Sequence, residues 1–289
     1  MALPFSVAAA EIVVARDGSG DFTSVQAAID SVPAGNTRPV VIHIKPGTYT
    51  ENITVPKEKP LITMRGDDAV RTVLTFHNSA ASAGGTSKSA SVYIWAEDFT
   101  AENLTFENSY GTGSQAVALY VNADRARFRH CRMLGWQDTL YANGGRQVYQ
   151  DCYIEGHVDF IFGNATALFE NCEIHSKASG YVTAQSRLAD TPSTGYVFRR
   201  CRLTGAATDR VFLGRPWRPY ARVVYMDCWL GPHIRPEGWD NWRNPENEKT
   251  AWFAEYHSTG PGANPGARVR WSKQLTAQQA EEFAHWAKW

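Results

Sequence analysis

Residues Val148–Ile154 read VYQDCYI, with an aromatic residue three positions before the cysteine and an apolar residue two positions after it. The same phrase surrounds every cysteine of the chain. The five cysteines follow one another at similar intervals: Cys131, Cys152, Cys172, Cys201 and Cys228. A strand-like phrase that recurs at a spacing of twenty-odd residues is typical of a solenoid.

Each phrase alternates between apolar and polar positions, and no long helical pattern lies between the phrases. We therefore predict an all-β fold, a single-stranded right-handed parallel β-helix with short capping helices at the termini. The repeat also measures position along each coil. Residues at the same offset from successive cysteines should stack about 4.8 Å apart.

Two acidic residues are related by this repeat. Asp138 and Asp159 are separated by the same interval as Cys131 and Cys152. They should occupy equivalent places on adjacent coils, where two carboxylates about 5 Å apart repel one another and raise a pKa. Such a pair is poor as a structural element, so it indicates a functional site. The alternative is a solvated polar face.

A glutamine and an arginine fall in the same column. Gln115 and Arg215 lie 16 and 13 positions before the cysteines of their own coils. Arg215 is two coils past Asp159, and its side chain is long enough to reach back most of that distance. Gln137, next to Asp138, can join the group from the turn. The column therefore combines two acids, two amides and one guanidinium.

Segments around these residues resemble the signatures of the pectin methylesterase (pectinesterase) family. Five blocks in order make the resemblance specific, whereas any one of them alone would be weak. It extends from about residue 17 to about residue 271. The blocks are Gly47–Glu51 (GTYTE), Gln115–Leu119 (QAVAL), Gly135–Tyr141 (GWQDTLY), Gly156–Gly163 (GHVDFIFG) and Leu213–Trp217 (LGRPW). We treat residues 1–289 as a single β-helix catalytic domain, with a C-terminal helix in 272–289.

The resemblance implies a role for each residue of the column. Asp159 would be the nucleophile, and Asp138 the general acid and then the general base. Gln115 and Gln137 would stabilise the oxyanion. Arg215 would hold Asp159 and contact the substrate.

Further residues are implied in substrate binding. Trp217 would pack on a sugar ring, because the apolar face of a sugar stacks on an aromatic plane. Phe160, Tyr141 and Trp252 lie in or near the signature blocks and are weaker candidates for the same cleft. Thr86 stands where the family has a threonine that contacts substrate.

The implied reaction is hydrolysis of the methyl esters of homogalacturonan to methanol and de-esterified pectin. Asp159 attacks the ester carbonyl, and Asp138 protonates the leaving methoxide and later activates water. The charge of Asp159 raises the pKa of Asp138, while Arg215 favours the ionised form of Asp159. We expect no metal or other cofactor, because the eight histidines show no paired ligand spacing. His157 is interpreted as a structural neighbour.

Composition limits the partners. The chain has 29 Lys and Arg against 29 Asp and Glu, so it has no overall charge to attract nucleic acid or a membrane. No apolar stretch approaches the length that a membrane-spanning helix needs. We expect methyl-esterified homogalacturonan as the partner, a monomer, and, from the resemblance, a secreted protein, extracellular or periplasmic. The apolar segment Met1–Ala10 is either the remainder of a trimmed signal or a cloning artefact.

Several alternatives stay open. The acidic pair also suits a polygalacturonan-cleaving β-helix hydrolase, and the chain could be a non-catalytic pectin-binding homologue or act on a different ester. Cys152 and Cys172, on adjacent coils, could form a disulfide, or all five cysteines could form a stacked ladder of reduced thiols.

Local signals predict the remaining elements. A capping box at Thr23–Gln26 predicts a short helix that closes the N-terminal end of the core, and Val40–Ile44 reads as the first core strand. Ser79–Ser89 reads as a flexible loop, and Arg235–Thr250 as a long loop that lines a cleft wall. A second capping box at Thr276–Gln279 predicts a helix to about residue 287, which closes the other end or packs along the side.

Overall fold

The computed structural model describes residues 10–191, 193–208 and 210–289. Its architecture is a right-handed parallel β-helix, as the repeat predicts. The strands in chain order are β1 (Ala10–Val14), β2 (Val40–Ile44), β3 (Gly47–Thr50), β4 (Ile53–Val55), β5 (Ile62–Gly66), β6 (Thr72–Phe76), β7 (Val92–Ile94), β8 (Thr100–Glu102), β9 (Thr105–Asn108), β10 (Leu119–Asn122), β11 (Ala126–Arg129), β12 (Arg132–Leu134), β13 (Leu140–Gly144), β14 (Arg146–Gln150), β15 (Tyr153–Gly163), β16 (Thr166–Glu170), β17 (Glu173–Gln185), β18 (Gly195–Arg199), β19 (Arg202–Gly205), β20 (Val211–Pro216), β21 (Arg222–Met226), β22 (Trp229–Leu230), β23 (Trp252–Tyr256) and β24 (Lys273–Gln274). The helices are α1 (Val25–Ser31), α2 (Ala80–Ala83), α3 (Asn247–Thr250) and α4 (Ala277–Glu281), with 3₁₀ turns at Thr86–Lys88 and Pro265–Ala267.

The strands form three faces around the core. The first face is an eleven-stranded parallel sheet in the order β1-β2-β5-β8-β11-β14-β16-β18-β21-β23-β24. The second face contains β3, β6, β9 and β12, and the third contains β4, β7, β10 and β13. The long strands β15 and β17 pair with both of these faces, because each continues around the bend between them. Further along, β19 and β22 extend the second face and β20 the third.

The cysteine phrases form the internal ladder that their spacing predicts. The aromatic residues three positions before the cysteines stack face to face, with ring centroids 4.9, 4.7, 4.4 and 4.5 Å apart along the series Phe128, Tyr149, Phe169, Phe198 and Tyr225. All five cysteines are buried and free. Of the two alternatives for the thiols, the structure has the reduced ladder.

A left-handed residue precedes every one of these cysteines. The residue directly before each cysteine has φ between 51° and 54°: His130, Asp151, Asn171, Arg200 and Asp227. This conformation is uncommon outside glycine, although Asn and Asp adopt it more readily than most residues. Its recurrence turns the chain from the first face to the second at the same place in each coil.

The helix α1 closes the N-terminal end of the core, as predicted. Its residues Val25, Ala28 and Ile29 are fully buried in the main apolar cluster. The predicted cap residue was wrong, because Ser24 is the N-cap and its side chain accepts from Ala27 N. The carboxylate of Glu51 satisfies other donors at the start of α1. It accepts from the hydroxyl of Ser24 and from the backbone amides of Val25 and Gln26.

The C-terminal segment packs along the side of the solenoid. The capping box between Thr276 and Gln279 is present, but the α-helix ends at Glu281 rather than near residue 287. Ala280 and Phe283 pack with outward residues of the first face, including Leu168, Val197 and Val224. This segment therefore covers an apolar stripe outside the core and does not cap the end of the coils.

Other local expectations change in detail. Val40–Ile44 is a strand with the predicted bounds, but β1 precedes it in the same sheet. The segment Ser79–Ser89, predicted as a flexible loop, contains α2 and a 3₁₀ turn, and Ser79 caps α2. Met1–Ala9, which holds most of the apolar N-terminal segment, lies outside the described residues. Within the described part of the chain, no helix has the length and apolar character needed to cross a bilayer.

Candidate active site

The two acids lie level on adjacent coils of the third face. The strands β13 and β15 pair with Leu140 opposite Ile161, which is the same interval that separates the two acids along the chain. The amide of Asp138 donates to Val158 O at 3.1 Å, so the parallel pairing continues to the acids. Asp138 and Asp159 are both left-handed, with φ of 66° and 51°. Both residues are buried, each with 7% of its surface exposed.

Arg215 reaches back to Asp159 across two coils. Its Nε donates to Oδ1 of Asp159 at 2.9 Å and its Nη2 to Oδ2 at 2.7 Å, which gives a bidentate ion pair. The cysteine offset placed Arg215 at the level of Asp159, and this register was wrong. Strand pairing aligns Arg215 with Ala184 and, one coil earlier, with Phe162. Side-chain length, rather than stacking, brings the guanidinium to the carboxylate.

Two aromatic rings hold the guanidinium of Arg215 in place. Its carbon Cζ lies 3.8 Å from the ring centroid of Tyr181 and 3.8 Å from that of Trp242. Contacts at this distance add a cation–π attraction to the ion pair. Neither ring was predicted from the sequence to take part in the site. Trp242 comes from the polar segment Arg235–Thr250, which was expected only to line a cleft wall.

Two glutamines present free amides beside the acids. The side chains of Gln115 and Gln137 line the same cavity as Asp138 and Asp159. Their backbones are fixed: Gln115 O accepts from Ala80 N at 2.7 Å and Gln137 O accepts from Ala116 N at 3.1 Å. Among the described residues neither side-chain amide has a hydrogen-bond partner. Both can therefore donate to a group that enters the cavity.

The acids, amides and arginine share one open cavity of about 460 Å³ on the third face. Its volume is within the range of small-molecule sites in proteins. Its lining residues are Thr86, Ser87, Gln115, Gln137, Asp138, Tyr141, Asp159, Phe162, Ala184, Arg215, Trp217 and Trp242. All but two of the catalytic and substrate-binding residues selected from the sequence are in this set.

One exception is Phe160. Its side chain is fully buried in the main core, so its predicted contact with substrate was wrong. Under strict alternation, residues 159 and 161 would point to one side of the strand and residues 160 and 162 to the other. The left-handed Asp159 interrupts that alternation, and both Phe160 and Ile161 point into the core. Phe162 lines the cavity instead.

Aromatic rings cover one side of the cavity. The ring of Tyr141 stacks on that of Phe162 with centroids 4.1 Å apart, and Trp217 lies 5.9 Å from Phe162 and 6.3 Å from Tyr141. Their exposed edges offer the apolar surface that a sugar ring needs. Trp252, a weaker candidate, is not among the lining residues. It packs against Phe283 on the outer surface of the first face.

Burial controls the protonation of the two acids. Burial, followed by the neighbouring charge of Asp159, raises the pKa of Asp138 well above its ordinary value. Burial also raises the pKa of Asp159, but the hydrogen bonds and charge of Arg215 counteract part of that rise. Asp159 therefore has an ion pair that Asp138 lacks. Asp138 is the group that retains a proton to the higher pH.

His157 lies outside the lined cavity. Its ring meets the edge of Trp136 at a centroid distance of 5.5 Å, and its Nδ1 is buried without a hydrogen-bond partner. Its charge favours ionised Asp159, as the smallest of the influences on that carboxyl. This placement fits the structural role that the sequence suggested.

Comparison with known proteins gives a consistent result. Residues 11–287 match the family model described as Pectinesterase. The chain is 51% identical over 284 residues to pectinesterase 31 of Arabidopsis thaliana, covering 94% of this chain and 90% of that protein. It superposes on a pectin methylesterase from carrot with a TM-score of 0.92 and 36% identity, covering 96% and 91% of the two chains. A pectin methylesterase in complex with a hexasaccharide gives a TM-score of 0.83 at 32% identity, covering 96% of each chain.

Proposed function

The chain belongs to the pectinesterase family of carboxylic ester hydrolases, and from that premise we propose how its cleft hydrolyses the methyl esters of pectin. The proposal assigns the chemistry to the residues of the cavity on the third face. Five of them take part: Asp159, Asp138, Arg215, Gln115 and Gln137.

In the first half of the reaction, a carboxylate oxygen of Asp159 attacks the ester carbonyl of a methylated galacturonate. The carbonyl oxygen becomes an oxyanion, to which the free amides of Gln115 and Gln137 donate. A preorganised donor of this kind stabilises the transition state by about 3 kcal/mol. The C–O bond to methoxide then breaks, and Asp138 gives its proton to that oxygen. Methanol leaves, and an anhydride joins Asp159 to the sugar.

In the second half, Asp138 is ionised and acts as a base. It takes a proton from a water molecule that attacks the carbonyl carbon of the anhydride. This attack forms a second oxyanion, to which the same two amides donate. Its collapse releases the galacturonate carboxylic acid and restores Asp159 as a carboxylate. Asp138 has recovered its proton, so the enzyme returns to its starting state.

The electrostatics of the cavity support this division of roles. A nucleophile must be ionised, and of the two acids Asp159 has the bidentate cation. An acid must hold its proton, and burial together with the charge of Asp159 raises the pKa of Asp138. Because the rings of Tyr181 and Trp242 clamp the guanidinium, Arg215 also fixes the direction of the attacking carboxylate.

The substrate and the setting follow from the same premise. We propose that methyl-esterified homogalacturonan lies along the cleft, with one sugar ring against Trp217 and Tyr141 and with Thr86 on the opposite wall. We further propose that residues 1–289 act as one catalytic domain, a monomer that neither nucleic acid nor a membrane engages. The proposed location is outside the cell or in the periplasm, where pectin would be met.

The observation that carries the proposal is the bidentate pair between Arg215 and Asp159 beside the buried Asp138. The test is methanol release from highly methylated pectin by the wild type and by Asp159→Asn, with chain length and unsaturated ends read from the same samples. Asp98→Asn is the matched control, because Asp98 forms a similar bidentate pair with Arg125 on another part of the solenoid.

We expect methanol from the wild type and from Asp98→Asn, none from Asp159→Asn, and intact chains in all samples. Shortened chains without methanol would assign the acids to a polygalacturonan-cleaving hydrolase. If neither methanol nor shortened chains formed, the protein would be a pectin-binding homologue or an enzyme for a different ester. Wild-type rates in Asp159→Asn would overturn the choice of nucleophile.

A further inference from the structure

A second long cation reaches back across two coils, on the side of the Gly135–Asp138 turn away from the acids. Lys177 lies in β17, one position beyond Ser176, which pairs with Gly156 of the preceding coil. Its Nζ donates to Gly135 O at 3.2 Å and to Oε1 of Glu155 at 2.8 Å. Its ammonium group also lies 4.0 Å from the ring centroid of Trp136.

Lys177 and Glu155 are only partly exposed, at 22% and 17% of their side chains. A partly buried ion pair is screened less by water than a fully exposed one, and its two partners are held in one geometry. Glu155 is in turn fixed by the hydroxyl of Tyr153, which donates to its Oε2 at 3.0 Å. The cation that meets the turn is thus itself positioned by neighbouring groups.

The turn divides two cavities. Gln137 and Asp138 line the cavity of the active site, whereas Gly135 and Trp136 line a smaller cavity of about 170 Å³ together with Lys177. The end of the turn that carries the acid is held by pairing with the next coil, through Asp138 N and Val158 O. Within the turn, Trp136 O accepts from His157 N at 3.0 Å and Gln137 O accepts from Ala116 N at 3.1 Å. Lys177 adds a contact at the other end, at Gly135 O.

We propose that Lys177 is a positioning residue for the oxyanion amide of Gln137. It holds Gly135 O and the ring of Trp136, and these two residues directly precede Gln137 in the turn. Unlike Arg215, Lys177 touches none of the reacting groups. The inference rests on the proposed function, because Gln137 has an oxyanion to stabilise only if the cleft hydrolyses an ester.

The test is a double-mutant cycle between Lys177→Met and Gln137→Ala, measured as methanol release from methylated pectin. An amide displaced by about 1 Å costs a rate factor of roughly ten to a hundred. We expect Lys177→Met to lower kcat by that factor with KM within about twofold, since substrate contacts are untouched. In the Gln137→Ala background the same change should cost almost nothing, because the amide that it positions is already absent.

Lys59→Met is the matched control. Lys59 also donates to two backbone carbonyls, Ile29 O at 2.9 Å and Asp30 O at 2.8 Å, but at the end of α1. It should retain the wild-type kcat. Lys177→Arg, which keeps the cation, should recover most of the loss. Lys177→Gln, which keeps a polar side chain but no cation, provides the same cycle if the methionine variant does not fold.

The outcomes separate the two levels of the proposal. If the wild type released no methanol, the proposed function itself would be wrong. An active wild type with an unchanged kcat in folded Lys177→Met or Lys177→Gln would overturn the positioning role alone. A loss of equal size in the presence and absence of Gln137 would also overturn it, because Lys177 would then act on something other than that amide.

Discussion

Asp138 and Asp159 occupy the same position on successive coils, and both adopt a left-handed backbone conformation, with φ of 66° and 51°. In regular strands neighbouring side chains alternate between the core and the solvent. The left-handed Asp159 breaks this alternation within β15, and Asp138 lies at the same level in the turn before β13. As a result two carboxyls face one cavity, and aspartate is among the few residue types that accept this conformation readily.

Asp138→Asn should stabilise the folded protein at neutral pH. The folded-state pKa of Asp138 is raised by burial and by Asp159, so the folded state binds a proton that the unfolded state releases. Stability is therefore lost as pH rises from the unfolded value near 3.8 towards the folded pKa. Asparagine removes this loss and retains the backbone conformation. Calorimetry from about pH 4 to 8 should show a gain in Tm that grows with pH.

Asp98→Asn is the control of opposite sign. Hydrogen bonds from Arg125 lower the pKa of Asp98, so its contribution to stability is present above the unfolded pKa and is lost as pH falls through the folded pKa. This variant should lower Tm at neutral pH, and the difference should vanish in acid. Parallel Tm curves for Asp138→Asn and the wild type would mean that Asp138 does not titrate differently on folding.

Arg215→Lys should lower kcat and move the acid limb of the pH–rate profile to higher pH. The bidentate bonds of Arg215 oppose the rise that burial imposes on the pKa of Asp159. A lysine cannot make both bonds and stacks less well between the two rings. The pKa of Asp159 should then rise, so a higher pH is needed to ionise it. Arg125→Lys, at the comparable pair with Asp98, should leave the profile in place. An unshifted acid limb in Arg215→Lys would contradict the prediction.

Replacing either oxyanion amide should reduce turnover more than binding. Gln115→Ala and Gln137→Ala should each lower kcat by about 10²–10³, the usual cost of losing one oxyanion donor, with little change in KM. Initial rates of methanol release over a range of pectin concentrations separate the two constants. Gln150→Ala lies on the first face, away from the cavity, and serves as the control. A variant in which only KM rises would assign that glutamine to substrate binding.

The two phenylalanines of the second signature block should behave differently. Phe160 is fully buried in the core, so Phe160→Leu should lower the free energy of unfolding by about 1 kcal/mol or more and leave KM unchanged. Phe162 lines the cavity, so Phe162→Leu should raise KM about fivefold, which corresponds to about 1 kcal/mol of apolar contact. Denaturant unfolding and steady-state kinetics on both variants check this. An increase in KM for Phe160→Leu alone would reverse the assignment.

The parts of the site that follow the coil repeat could be predicted from sequence. The spacing of the cysteines gives the level of Asp138 and Asp159, because both coils have nearly the same length and no insertion lies between the acid and its cysteine. The coils that end at Cys201 and Cys228 are longer, because they include insertions. Counting back from Cys228 therefore misplaced Arg215, which pairs at the level of Phe162.

Other features depend on backbone conformation or on tertiary contacts that leave no local pattern. Period-2 alternation cannot show that Asp159 is left-handed. Counted from Asp159, alternation places Phe162 in the core, so Phe162 was overlooked. Phe160 was assigned to the cleft because it lies in a signature block. Trp242 comes from a segment outside the repeat, and nothing in its neighbours indicates that its ring meets Arg215. The helix cap shifted by one residue because Glu51, distant in sequence, accepts from the amide of Gln26, the donor that the side chain of Thr23 was expected to satisfy.

The reduced cysteine ladder has a consequence for how the protein can be handled. All five thiols are buried, and none is cross-linked. No disulfide therefore joins neighbouring coils. An unfolded chain must recover the register from strand pairing and ring stacking alone. The folded state in turn has no bond that a reductant could cut. The stability of the fold should therefore be the same with and without a reductant, since no disulfide is available to be broken.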